Sequence, residues 1–237
     1  MEHFSNVFQP VLPFSSSTKY PLYGKWREQV FHNQNPIILE LGCGKGEYTL
    51  HLAAAFPQNN YIGIDIKGSR MYVGAKKALA LGLTNAVFLR TCIENIETIF
   101  QPNEVDELWL TFPDPQPKKR WTKKRLTSAV FQNKYLSILK TTAILHLKTD
   151  NEFLYQYTWA LLKKNNVSII KHTNDVYNSH LLDIHHNIQT HYESIFAEQD
   201  NKITYICWHC PEIPLIELSD NEYDRIEKQY IRPVVAE

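Results

Sequence analysis

The sequence predicts an α/β protein built on a doubly wound, mostly parallel sheet of seven strands, with an antiparallel hairpin at its C-terminal end. Three observations predict it. Short apolar runs alternate with helical stretches from Pro36 to Asn166. A turn carrying Gly42, Gly44 and Gly46 follows the first of those runs. The segment ESIFAEQDNKITYICW reads as two strands around a turn. Parallel strands show as continuous apolar runs because helices cover both faces of the sheet.

Residues 1–35 are rich in Pro, Ser, Asn and aromatics without sustained periodicity, and read as an arm that packs on something larger. IILELG (residues 37–42) is a buried strand ending in glycine, YTLHLAAAF a helix stopped by Pro57, and YIGIDI (61–66) a second strand. SRMYVGAKKALALG has the spacing of an amphipathic helix and closes on Gly82. AVFLR is a third strand and VDELWLTF a fourth; LTSAVFQNKYLSILK is a helix, AILHLKT (143–149) the fifth strand, and NEFLYQYTWALLKKN the helix after it. The pattern weakens beyond Asn166, and the tail from Pro211 is acidic-polar. The expected organisation is an arm over 1–35, one domain over 36–210, and a tail over 211–237 packed on that domain.

Lys and Arg total 25 against 25 Asp and Glu, so any contact with nucleic acid must come from a local patch. At 43% hydrophobic and 12% aromatic the chain can bury a sizeable core. Four cysteines in 237 residues do not suggest a disulfide framework. The first residues lack a signal-peptide pattern and no window reaches membrane-spanning length, so a reduced, cytoplasmic protein without membrane contact is expected.

The glycines of LELGCGKGEY lie in a strand-to-helix turn, where glycine lets backbone amides approach a ligand and tolerates positive φ. The spacing is G-x-G-x-G, not the G-x-G-x-x-G of dinucleotide dehydrogenases, and not a phosphate-binding Walker loop. Glu40 lies inside the first strand, and Asp65 ends the second, where a ribose diol lies in this architecture. Acid, glycine loop and second acid together resemble class I S-adenosylmethionine-dependent methyltransferases, whose fold is Rossmann-like. A tight turn without a ligand and a nicotinamide dehydrogenase are the competing readings. The resemblance implies S-adenosylmethionine as cofactor, with Gly42, Gly44 and Gly46 beneath its methionine moiety and Asp65 on its ribose.

TFPDPQPKKRWTKKR, residues 111–125, sets Asp114 between two prolines at the end of the fourth strand, beside the ligand crevice of an open α/β sheet. Pro113 and Pro115 stiffen the exit from the sheet, and a preorganised carboxylate is useful where positive charge changes during reaction. A solvated Asp in an Asx turn is the plain alternative. Six cations then follow around Trp121: Lys118, Lys119, Arg120, Lys123, Lys124 and Arg125. Most such runs are solvated faces. If four to six of these residues met phosphates, log affinity would fall with log salt at a slope of roughly −3 to −5.

At this point FPDPQPKKRWTKKRL resembles the signature of bacterial tRNA (guanine-46-N7)-methyltransferases, and LKTDNEFL and THYE follow in that family's order. The resemblance covers about residues 36–208. It implies methyl transfer to N7 of guanine 46 in the tRNA variable loop, by a monomer or homodimer. It implies that Glu40, Asp65 and Asp114 contact S-adenosylmethionine, with Asp114 also the active-site acid. Lys118, Asp150, Thr190, His191, Tyr192 and Glu193 would bind the guanosine, and Arg120, Trp121, Thr122, Lys123, Lys124 and Arg125 the RNA. Gln116 and Trp121 stand where the family usually has Trp and His. Cys92 takes the place of an acid that commonly meets the adenine, and its backbone could still serve.

Cys207 and Cys210 form half a zinc site at most and read as a core strand end, so no metal is expected. Lys67 and Arg70 read as flanking a helix, and His185 and His186 as surface residues. Two other functions fit the fold. An amino-group methyltransferase on a nucleic-acid base would carry D/N-P-P-aromatic, and DPQP lacks that aromatic residue. A non-catalytic RNA-binding module would not need an intact glycine loop with its acids.

Overall fold

The structure is a computed structural model and describes residues 4–10, 18–181, 188 and 202–231. Its strands are β1 (Val7–Phe8), β2 (Ile37–Leu41), β3 (Asn60–Asp65), β4 (Ala86–Arg90), β5 (Val105–Thr111), β6 (Leu139–Thr149), β7 (Ile169–Thr173) and β8 (Thr204–His209). They form one sheet in the order β1-β4-β3-β2-β5-β6-β8-β7. All pairs up to β6 are parallel, and β8 runs antiparallel to both β6 and β7. The described helices are α1 (Glu47–Ala55), α2 (Gly68–Ala80), α3 (Ile96–Ile99), α4 (Ala129–Leu136), α5 (Glu152–Lys164) and α6 (Asp220–Tyr230).

The doubly wound sheet read from the sequence is there, with three corrections. It has eight strands, not seven, because Val7–Phe8 pairs with Phe88 and Leu89 at the edge; two residues carry no periodicity to read. Of the expected hairpin, β8 is present, but it pairs with Ile169–Thr173; residues 193–201 lie outside the described residues. The helix expected to reach Lys140 stops at Leu136, and Leu139 already pairs with Val105. Glu104 and Val105 both donate backbone N–H groups to the carbonyl of Ile138, which pulls that stretch into the sheet.

Every residue of β2 is buried. Alternate side chains leave a strand on opposite faces, so Ile37, Leu39 and Leu41 join Trp26, Phe100 and Leu147. Ile38 joins Tyr48, Leu50, Met71 and Trp109 on the other face. Trp26 stacks on Phe100 at 5.4 Å and donates its indole N–H to Ile99. A third cluster joins α6, Leu215 and Leu218 to Phe153, Tyr157 and Leu161 of α5. From β2 the chain winds outward through β3 to β4 and then returns to β5 on the other side of β2. That reversal opens a crevice at the C-terminal ends of the strands, where ligands bind in open α/β sheets.

Candidate active site

The turn after β2 is pinned from below. Gly42 and Cys43 both donate to the carbonyl of Ile64 at 2.8 and 3.0 Å, and Gly44 donates to Asp65 Oδ2 at 2.9 Å. Gly42, Gly44 and Gly46 have φ of +77°, +54° and +70°, in the left-handed region that L side chains rarely adopt. Their surroundings differ. A Cβ on Gly42 or Gly44 would meet nothing within 4 Å, whereas one on Gly46 would lie 2.4 Å from the Phe88 ring. Gly42 and Gly44 face open space in the cleft, and Gly46 lets α1 start against the core.

The cleft holds about 620 Å³. Its lining includes Glu40, Gly42 and Gly44 from the end of β2, Thr111 to Pro115 from the end of β5, and Asp150 with Asn151 from the end of β6. Glu40 is the buried end of this arrangement. Its Oε2 accepts from the Thr49 backbone N–H (2.8 Å) and hydroxyl (2.5 Å), and its Oε1 from the Thr111 hydroxyl (2.6 Å). Burial raises its pKa to about 7, against the pull of those donors. Asp65 stands behind the lining: its carboxylate holds Gly44 N and Lys67 N. Cys92 is half-buried at the start of the 3₁₀ turn Ile93–Asn95 and is not part of the lining either.

Asp114 lines the cleft and is exposed, with Oδ1 accepting from Gln116 N at 3.1 Å. Both readings of this residue therefore describe it, the Asx-type turn and the carboxylate at the crevice. The loop around it is strained, since Phe112 and Gln116 take φ of +48° and +46°.

The six cations beyond it divide. Lys118, Arg120, Lys123 and Lys124 are exposed. Lys118 and Arg120 lie over the Trp121 ring at 4.9 and 5.3 Å, while Thr122 caps its own turn by donating to the Lys119 carbonyl. Lys119 pairs with Asp220 (3.0 Å) and Asp224 (3.1 Å) of α6. Arg125, read from the sequence as an RNA contact, is 0% exposed, and its guanidinium is engaged inside the protein. Thr190, His191, Tyr192 and Glu193 lie outside the described residues, as do His185 and His186.

Several residues of the site escaped the sequence reading. Thr111 and Thr49 tie Glu40 to β5 and α1, and Lys67 and Arg70 line the cleft rather than only flanking α2. Lys148 is buried in β6, donating to the Ile188 carbonyl at 3.1 Å with Tyr48 and Phe112 rings 5.3 and 5.8 Å from its ammonium. A lysine two places before Asp150 in an apolar strand was the available signal. Cys207 and Cys210 are buried. No helix among the described residues is long and apolar enough to cross a membrane.

A family model described as "Putative methyltransferase" matches residues 34–206. The chain is 49% identical over 206 residues to the tRNA (guanine-N(7)-)-methyltransferase of Christiangramia forsetii, covering 86% of this chain and 92% of that one. It is 42% identical over 226 residues to the enzyme of the same name from Bacteroides thetaiotaomicron, covering 94% and 88%. Among solved structures, the 16S rRNA methyltransferase KamB superposes with a TM-score of 0.59 at 14% identity, covering 85% of this chain and 96% of that one. The 16S rRNA (adenine(1408)-N(1))-methyltransferase of Catenulisporales acidiphilia gives 0.55 at 12% identity, covering 86% and 97%. At such identities these two share the fold.

Proposed function

The chain belongs to the tRNA (guanine-N(7)-)-methyltransferase family, and we propose from that premise that it methylates N7 of guanine 46 in the variable loop of tRNA, in the cytoplasm. The methyl donor is S-adenosylmethionine. The cleft suits it, because the open sides of Gly42 and Gly44 leave room that a Cβ would fill, and Asp114 and Asp150 place carboxylates around that room. When bound, the cofactor supplies an electrophilic methyl group on a sulfonium. Gly42, Gly44 and Glu40 would hold it, with Asp65 acting through the loop it fixes.

Guanine N7 has a lone pair and no proton to lose, so the site needs alignment and charge stabilisation rather than a strong base. Asp114 and Asp150 flank the cleft and would orient the base and stabilise the positive charge it gains. Lys118, Arg120, Lys123 and Lys124 would hold the phosphates of the RNA that covers Asp114 and removes water from it. Alignment in favourable cases accounts for roughly 7–11 kcal/mol of barrier. The single observation that carries this reading is the Asp114 carboxylate at the mouth of a glycine-lined cleft, five residues before the basic turn that starts at Lys119.

Incubation with unmodified tRNA and labelled S-adenosylmethionine, followed by nucleoside mapping, tests it. The expected product is N7-methylguanosine at position 46; N6-methyladenosine or label elsewhere overturns it. Asp114→Ala should lower kcat by on the order of 10²-fold with little change in tRNA affinity. Equal loss of both contradicts the assigned role.

A further inference from the structure

We propose that Arg125 and Tyr223 are positioning residues for methyl transfer, clamping the Asp114 loop through three consecutive backbone carbonyls. The inference rests on the reading of Asp114 as the acid of the site. Residues 112–117 contain three prolines, so the segment has few N–H groups of its own with which to fix its shape. Two of its residues, Phe112 and Gln116, hold positive φ. Such conformations persist only where the surroundings over-determine them.

The start of the loop is fixed by the sheet, where Phe112 N donates to the Lys148 carbonyl at 2.8 Å. Its far end is fixed from below. Arg125 donates Nε to the Pro115 carbonyl (3.0 Å) and Nη2 to the Gln116 carbonyl (2.7 Å), and the Tyr223 hydroxyl donates to the Pro117 carbonyl. Arg125 Nη2 also reaches the Tyr223 oxygen at 3.3 Å. Carbonyls 115, 116 and 117 are thus all held by two side chains from outside the loop.

The guanidinium sits in an aromatic box, with Cζ 4.0 Å from the Tyr157 ring centroid, 5.0 Å from Phe153 and 5.5 Å from Tyr223. Burying a cation is costly, and its Nη1 has no hydrogen-bond partner. A leucine or methionine would fill that space without the cost. What only arginine supplies is a rigid fork of donors matched to successive carbonyls. Tyr223 belongs to α6, so the C-terminal helix completes the support of the active-site loop.

Tyr223→Phe removes one hydroxyl and keeps the ring in the box. It should lower kcat roughly five- to tenfold, while the Kd for tRNA and the slope of log Kd against log salt stay unchanged. Arg125→Lys keeps the charge and loses the fork, and should lower kcat further with the same unchanged slope. Turnover is measured well below the Tm of each variant. The deciding readout is the double variant: on an Asp114→Ala background, Tyr223→Phe should add little, because it acts through Asp114. Unchanged kcat in Tyr223→Phe, or a fully additive loss in the double variant, overturns the clamp. Weaker tRNA binding with a flatter salt slope in Arg125→Lys also overturns it, in favour of an RNA contact. If Arg125→Lys does not fold, the tyrosine arm decides alone. Full turnover in Asp114→Ala sinks the reading of the acid itself; lost turnover there with full turnover in Tyr223→Phe sinks only the clamp.

Discussion

At Glu40 two effects oppose each other. Three donors favour the carboxylate, yet burial dominates and lifts the group from 4.5 to about 7. The folded state therefore keeps a proton that the unfolded chain releases at lower pH. The stability this proton contributes is fully present below about 4.5 and is lost as pH rises toward about 7. Glu40→Gln removes the titration. The stability of that variant relative to the parent should rise across the same window, by up to about 3 kcal/mol. Calorimetry at several pH values measures this, and a flat difference contradicts it. The glycines give a second contrast at this scale. Gly46→Ala drives a methyl into the Phe88 ring at positive φ and should cost about 2–4 kcal/mol of stability. Gly44→Ala meets open space and should cost about 1 kcal/mol, while weakening S-adenosylmethionine binding through the methyl it places in the cleft. Denaturant melts and a cofactor titration separate the two. Equal destabilisation would contradict the assignment of Gly46 to packing.

Among the elements, the basic turn Lys119–Lys124 shows how far a charge run can be read. The sequence displays six cations and cannot say where each points. The fold buries Arg125, ties Lys119 to α6, and leaves four exposed. Four phosphate contacts correspond to a salt slope of about −3. Replacing Lys123 and Lys124 with Gln should flatten it by about 1.5 and weaken tRNA binding, with kcat at saturating tRNA little changed. An unaltered slope would remove the turn from the RNA interface. The same limit explains which elements were legible. β2, β3 and β5 announce themselves because strands covered on both faces carry near-continuous apolar runs, broken here by few polar residues. β7, IIKHT, is half solvated and lacks that run. The stretch SILK suits helix and strand alike, and only its pairing across to Val105 decides for the strand. In the site, Glu40, Asp114 and the glycines were legible from spacing. Thr49, Thr111, Lys148 and Tyr223 were not, because their roles arise from contacts between elements distant in the chain.

At the scale of the molecule, the sheet separates two tasks that the neutral total charge conceals. The glycine turn and Asp65 stand on one side of the strand reversal, and the Asp114 loop with its clamp from α6 on the other. A ligand seated between them adds to the contacts that already join the two sides, among them the Thr111 hydroxyl on Glu40. Any molecule that binds the folded state alone stabilises it by mass action, by about 2.7 kcal/mol at one hundred times its Kd. For a chain of 237 residues that corresponds to a rise in Tm of roughly 5–10 °C. S-adenosylmethionine should produce this shift without tRNA, since the cleft proposed to hold it is formed by the chain alone. Gly44→Ala should reduce the shift at a fixed cofactor concentration, whereas Tyr223→Phe should leave it intact, because the clamp supports the opposite wall. Thermal melts of the three proteins with and without the cofactor measure this. Loss of the shift in Tyr223→Phe would mean that the two walls are not energetically separate and that α6 supports the cofactor pocket as well as the acid.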